Sequence, residues 1–182
     1  ADKELLERSR EKAEEMGLWD SQIDSIMKPY KKLGYMGAIA SNEIPMIAAK
    51  IKPNQKVVSF IINTEPRTKS GQHWQAVFID TKNDMSLEFY DSYADPPKKK
   101  FMKDIKLVIE KLDPNVYLKF KYNKIKNQSA NSNNCGYFAM KFLQDRYSGK
   151  SYKFCTGYSD VMKSEKEIKK YKKELEEEFP YI

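Results

Sequence analysis

Between Val57 and Ile62 every residue except Ser59 is apolar, and most are β-branched. A short continuous run of that kind predicts a strand buried on both faces. Ala76 to Ile79 and Leu87 to Tyr90 predict two more strands, joined through the polar turn Lys82-Asn83-Asp84 as a hairpin. Antiparallel pairing would set the residues just before the first of these strands beside those just after the second. Phe101, Ile105, Val108 and Leu112 give one helical face, with Asp95-Pro96 as its start and Asp113-Pro114 as its stop. Val116, Leu118, Phe120 and Tyr122 alternate with polar residues, the mark of a half-exposed strand.

Cys135, Phe138, Ala139, Phe142 and Leu143 then form a helical stripe that predicts a core helix from Cys135 to about Tyr147. Ile168, Tyr171, Leu175 and Phe179 make a narrow stripe on a charged final helix, with Ser164 and Glu167 as its capping box. At the other end, residues 2–16 read as a charged amphipathic helix that stops near Gly17. Ile23, Ile26 and Met27 begin a shorter one that Pro29 interrupts, and Gly34 and Gly37 bracket a turn-rich stretch. The class is α+β.

Composition adds bounds. With 182 residues, 40% of them hydrophobic, the chain can bury one core, and residues 1–182 are expected to form a single domain. The net charge of +7 comes from 29 Lys and 4 Arg against 26 acidic residues. Most of those lysines are explained by solvated helix faces. Clusters at Lys98-Lys99-Lys100, at Lys119, Lys121, Lys124 and Lys126, and at Lys169-Lys170 with Lys172-Lys173 would suit sequence-independent contact with a nucleic-acid backbone. Two cysteines, Cys135 and Cys155, are read as free thiols in a reducing compartment, Cys155 serving packing. One histidine and two distant cysteines give no metal-ligand spacing, so neither metal nor cofactor is expected. No apolar run approaches the ~18 residues that cross a bilayer, and a soluble protein with no membrane partner is expected.

The candidate chemistry lies at the edges of these elements. Cys135 stands where the polar loop Asn127–Asn134 meets an apolar helix, at the positive end of the helix dipole. His73, the sole histidine, precedes one hairpin strand, and Asp91 follows the other. Each has an ordinary reading: a buried cysteine usually packs, a lone histidine is usually structural, and an aspartate after a strand usually starts a turn. Their conjunction points instead to a thiol nucleophile, an imidazole base and an orienting carboxylate. Gln128, seven residues before Cys135, supplies an amide donor for an oxyanion, together with the backbone N–H of Cys135. Gly136 leaves room for a substrate backbone, and Trp74 either walls the cleft or belongs to the core.

These residues carry a resemblance. Ser59–Thr64 through Ser70-Gly71-Gln72-His73-Trp74-Gln75-Ala76-Val77-Phe78 resembles the strand, loop and Gly-x-His-Trp segment of the adenovirus maturation protease (adenain), as does Gly34–Ile39 followed by Ile44-Pro45. Phe89-Tyr90-Asp91-Ser92-Tyr93 resembles that family's acidic segment, and Gln128 with Asn131-Ser132 and Cys135-Gly136 its amide and nucleophile segment. Asp91 stands where the adenoviral enzymes carry Glu and the ubiquitin-like-modifier proteases of the same clan carry Asp. The resemblance implies a mixed, largely antiparallel central sheet flanked by helices, with the nucleophile at the N-terminus of a central helix. It also implies a cysteine endopeptidase that uses His73, Asp91, Gln128 and Cys135 to cut capsid or virion precursors after small, Gly-type residues during particle maturation. The resemblance also raises the expectation of non-specific DNA binding through the Lys-rich surface, and the expected setting is the virion and the host cytoplasm or viral factory. Two rivals stand beside it: a deconjugating protease for ubiquitin-like modifiers, and a catalytically idle, basic nucleic-acid-binding virion protein.

Overall fold

The computed structural model describes residues 3–5, 17–66, 73–157 and 160–182. Five strands form one sheet in the order β1 (Tyr35–Ile39), β2 (Val57–Asn63), β3 (Trp74–Asp80), β4 (Ser86–Tyr90) and β5 (Lys119–Tyr122). The two central pairings, β2 with β3 and β3 with β4, are antiparallel, whereas each edge strand runs parallel to its neighbour. The sheet is therefore mixed, as expected, with its antiparallel part at the centre.

Alternation along the central strands divides their side chains between two cores. Ile61, Ala76, Phe78 and Tyr90 face helix α4 (Cys135–Tyr147), and this core also takes in Ile23, Ile26 and Met27 of α1 (Asp20–Met27). Val58, Phe60, Ile62, Val77, Ile79 and Phe89 face the opposite side, against α2 (Ile44–Ala49) and α3 (Lys99–Leu112). Helices on both faces explain why β2 and β3 read as unbroken apolar runs. A short helix α5 (Tyr152–Thr156) follows α4, and α6 (Val161–Glu178) adds Ile168 and Leu175 to the α4 core. Phe142 of α4 stacks on Tyr90 of β4 at 4.9 Å between ring centroids, with the ring planes nearly parallel.

A buried ion pair locks α4 to β4. Arg146 donates from Nε and Nη2 to the two carboxylate oxygens of Glu88 at 2.7 and 2.8 Å, and Nη2 also reaches Asp84 at 2.6 Å. Its remaining nitrogen, Nη1, donates to the Lys150 carbonyl, and the guanidinium lies 4.8 Å from the Phe78 ring centroid. Glu88 is fully buried and accepts a further bond from Ser86 Oγ. Nothing in the hydrophobic pattern announced this pair, because its members lie far apart in sequence.

Several expected boundaries move. The stretch around Gly34 and Gly37 is an edge strand, β1, with an irregular register between Tyr35 and Ala38 that Gly37, at φ 125°, absorbs as a bulge. Helix α3 begins at Lys99 rather than at Asp95, because a residue before proline is driven to extended backbone and Asp95-Pro96-Pro97 imposes that twice. β5 starts at Lys119, since Val116 is still held in the turn that follows α3 by its bond to the Asp113 carbonyl. The N-cap of α6 is Asp160, whose side chain accepts from the Lys163 N–H at 2.7 Å, so Ser164 lies one turn inside the helix. Buried there, Ser164 donates its hydroxyl to the Asn127 carbonyl. Of the helix expected over residues 2–16, residues 3–5 are helical and the others lie outside the described residues, as do Ser70, Gly71 and Gln72.

Candidate active site

The β3–β4 hairpin builds half of the site. Ala76 pairs with Tyr90, so one step outward Gln75 stands beside Asp91, and Gln75 Nε2 donates to Asp91 Oδ2 at 2.7 Å. Just before β3, the His73 carbonyl accepts from the Thr64 N–H at 3.0 Å, which fixes the backbone that carries the imidazole. His73 Nε2 then meets Asp91 Oδ1 at 2.9 Å, and the Tyr93 N–H donates to the same oxygen at 2.7 Å. The Asp91 backbone is clamped in turn: its N–H donates to Asn123 Oδ1 at 3.0 Å, and Asn123 Nδ2 donates to its carbonyl at 2.6 Å. The carboxylate is fully buried and can change neither rotamer nor partner cheaply.

Helix α4 brings the sulfur. It begins at Cys135, which places that side chain in the first turn and at the positive end of the helix dipole. The Trp74 N–H points at Cys135 Sγ from 3.4 Å, so a donor from β3 is aimed at the sulfur. His73 Nδ1, on the side of the ring away from Asp91, is buried and has no hydrogen-bond partner among the described residues. Cys135 interacts with the same ring. The imidazole thus stands between a carboxylate and a thiol, the arrangement that moves a proton off sulfur and returns it to a leaving group.

Burial alone would depress the His73 pKa, but its hydrogen bond and charge interaction with Asp91, together with Cys135, more than reverse this and push it up to about 9. Below about 6.5, the ordinary value, the unfolded and folded imidazole both hold the proton. What the imidazolium contributes to stability is complete there and is lost as pH rises through about 9. If the same proton serves a leaving amine, kcat/KM falls on the basic side with a midpoint near 9, and Asp91→Asn shifts that limb downward. A pH profile on a fluorogenic peptide checks this; a limb that stays in place in the variant removes Asp91 as its cause.

Gln128 makes its side-chain bonds to Ser92 and Ser132 rather than to His73, Asp91 or Cys135. Its Oε1 accepts from Ser92 Oγ, and its Nε2 donates to the Ser132 carbonyl at 2.7 Å. One amide hydrogen is left over, on a fully buried side chain in the loop that leads to Cys135. The Ser92 carbonyl accepts from the backbone N–H groups of both Asn127 and Gln128, which joins this loop to the residue after Asp91. Trp74 is buried, and its indole N–H donates to the Leu18 carbonyl at 2.8 Å. A Cβ on Gly136 would meet Leu18 Cδ1 at 3.1 Å and Trp74 Cδ1 at 3.4 Å, so those two side chains close over the first turn of α4. Cys155 lies buried in α5, its thiol pushed up to about 12 chiefly by that burial, and is therefore a poor nucleophile.

The sequence reading missed Gln75, Tyr93, Ser92 and Asn123, the groups that orient His73, Asp91 and Gln128. For Gln75 a signal existed: the hairpin arithmetic that puts His73 near Asp91 also puts Gln75 opposite it. Tyr93 further flanks the imidazole, with ring centroids 4.9 Å apart. Among the described residues, no group of three or more His, Cys, Asp or Glu could hold a metal ion, and no helix is long and apolar enough to cross a membrane.

Comparison with known proteins bears on the family and the fold. Residues 38–179 match the family described as the Ulp1 protease family, C-terminal catalytic domain. No curated protein matches the chain in sequence. Among solved structures, the chain is similar to an African swine fever virus (ASFV) protease, with 15% identity and a TM-score of 0.62 over 81% of this chain and 63% of that one. The chain thus spans less than two thirds of that protease. It is also similar to the SUMO protease Ulp1 with its catalytic cysteine oxidised to a sulfinic acid, at 15% identity and a TM-score of 0.52 over 81% of this chain and 74% of that one. The C-terminal Ulp1 protease domain in complex with Smt3, the yeast ortholog of SUMO, gives 13% identity and 0.52 over 81% and 71%. The shared feature is the fold.

Proposed function

This chain belongs to the Ulp1 protease family, a family of cysteine proteases, and from that premise we infer that it hydrolyses peptide bonds with Cys135 as nucleophile and His73 as general base and acid. One observation carries the assignment: the only imidazole of the sequence is gripped on one side by the buried Asp91, and Cys135, whose sulfur accepts from the N–H of the next residue, Trp74, acts on the same ring. Sulfur attacks the scissile carbonyl, and His73 holds the proton that it then gives to the departing amine. Asp91 keeps the ring in one orientation and steadies its positive charge. The tetrahedral oxyanion is met by the backbone N–H of Cys135 and the remaining amide hydrogen of Gln128.

Gln128→Ala lowers kcat by about 10²–10³-fold, the value of one oxyanion donor. Gln128→Glu, which keeps the acceptor for Ser92 and loses the donors, has a similar effect. A defect seen only in KM would remove Gln128 from that role.

The substrates in this reading are capsid or virion precursors, cut after small, Gly-type residues during particle maturation, in the virion and in the host cytoplasm or viral factory. It is supported by the resemblance of the His73, Asp91, Gln128 and Cys135 segments to the adenovirus enzyme. Removal of ubiquitin-like modifiers is the second reading, favoured by the family to which the chain belongs and by the likeness of its fold to a domain solved with Smt3. Incubation of the protein with particle precursors and with a panel of modifier probes separates the two. A thiol-directed active-site probe also tests the idle-binder alternative: labelling of Cys135 that His73→Ala abolishes supports the enzyme, and labelling indifferent to His73 overturns it.

A further inference from the structure

A cleft of about 940 Å³ opens at the end of the sheet away from His73 and Cys135. Val57, the first residue of β2, and Thr81, just past the end of β3, lie in its wall. His73 precedes the start of β3, so that seven-residue strand, roughly 23 Å long at ~3.3 Å per residue, separates the two places. Lys31, Lys32, Lys50, Lys52, Lys56 and Lys82 surround the cleft, and neither Asp nor Glu lines it. All six are exposed, and none is ion-paired among the described residues.

The frame that carries these lysines is set by hydrogen bonds that do not involve their ammonium groups. Gln55 accepts from the Lys52 N–H at 3.0 Å and donates to the Val57 carbonyl at 3.1 Å. Thr81 donates from its N–H and its hydroxyl to the Lys56 carbonyl at 2.9 and 2.7 Å. Gly34, at φ 124°, lies so close to β2 that a Cβ would sit 2.4 Å from the Val57 carbonyl oxygen, and only glycine permits that closure. The lysine-bearing turns are thus positioned in advance, while their flexible stems can gather on a ligand. Like charges around a concave, low-dielectric surface focus their field within it and raise the local concentration of counter-ions. An anion placed there relieves the mutual repulsion.

The lining narrows the class of anion. Ammonium groups are compact point charges that suit phosphate oxygens without demanding the planar fork that guanidinium offers. The volume lies in the range of small-molecule sites. Leu33, Met36 and Pro53 supply apolar wall, but no exposed aromatic face is present on which bases could stack, since Tyr35 is buried with its hydroxyl on Asp24 at 2.9 Å. We propose that this cleft binds a compact polyphosphorylated small molecule, one that presents three or more phosphate groups close together. The inference is independent of the protease assignment.

Titration calorimetry of the full chain with inorganic tripolyphosphate, at constant ionic strength, tests it. Saturable binding at one site per chain is expected. Lys52→Glu with Lys56→Glu weakens it by about tenfold or more, the value of losing one charge-assisted hydrogen bond. Lys52→Gln with Lys56→Gln does so without reversing charge, and thermal melts confirm that both variants remain folded. Lys169→Glu with Lys170→Glu, the same change in net charge placed on α6, leaves the affinity unchanged. Absence of saturable binding, equal losses in the α6 variant, or equal competition by sulfate at matched ionic strength overturns the proposal. So does a single-stranded oligonucleotide of matched charge that binds more tightly and depends on the same lysines, which would make the cleft a nucleic-acid site.

Discussion

Cys135→Ala is expected to reduce peptide-bond cleavage by about 10⁶-fold, the loss seen when a protease nucleophile is removed and only binding and the oxyanion site remain. The same change is expected to alter stability by no more than about 1 kcal/mol, because it deletes one small buried atom and leaves the apolar neighbours Phe138, Ala139 and Phe142 in place. The two readouts must be taken together. Retained melting with lost turnover identifies a chemical role for the sulfur. Lost folding would return Cys135 to the core, where its burial alone would place it. The second thiol does not confuse the experiment, since Cys155 is held un-ionised at neutral pH.

Arg146→Met is expected to destabilise the protein by about 3–5 kcal/mol, because Glu88 is fully buried and would lose the charge that compensates it. For a chain of this size that corresponds to a fall of roughly 10 °C in Tm, at about 2–4 °C per kcal/mol. Adding Glu88→Leu to Arg146→Met removes the stranded carboxylate and is expected to restore much of the loss, since a buried ion pair often contributes little over an apolar pair of similar volume. Urea melts of the two single variants and the double variant give the coupling. Additive losses would mean that water reaches the pair and screens it. The defect should appear in stability before it appears in turnover, because Arg146 lies three turns along α4 from Cys135.

What could be read from the chain beforehand follows the strength of local signals. β2, β3, β4 and α4 were legible because each is buried along most of its length and most of its buried positions are apolar. The proximity of His73 and Asp91 followed from hairpin geometry alone. β1 was obscured by Gly37, whose bulge looks like a turn in sequence, and the start of α3 by a proline pair that reads as a helix start and acts as an extended lead-in. Ser164 was mistaken for a cap because its hydroxyl serves a tertiary bond to Asn127, which no local pattern encodes. The groups that orient the site were hidden for the same reason. Asn123 and Ser92 are polar residues with no periodicity, and their roles exist only once β4, β5 and the Asn127–Gln128 loop are side by side.

The hairpin that unites His73 with Asp91 is a local structure, whereas Cys135 arrives on a helix that must dock across the sheet from much further along the chain. Local contacts form early in folding and distant ones late. On the proposed assignment, a newly made polypeptide would therefore own its proton-handling pair before it owns its scissors, and would stay harmless to itself and its neighbours until the last layer of packing closes.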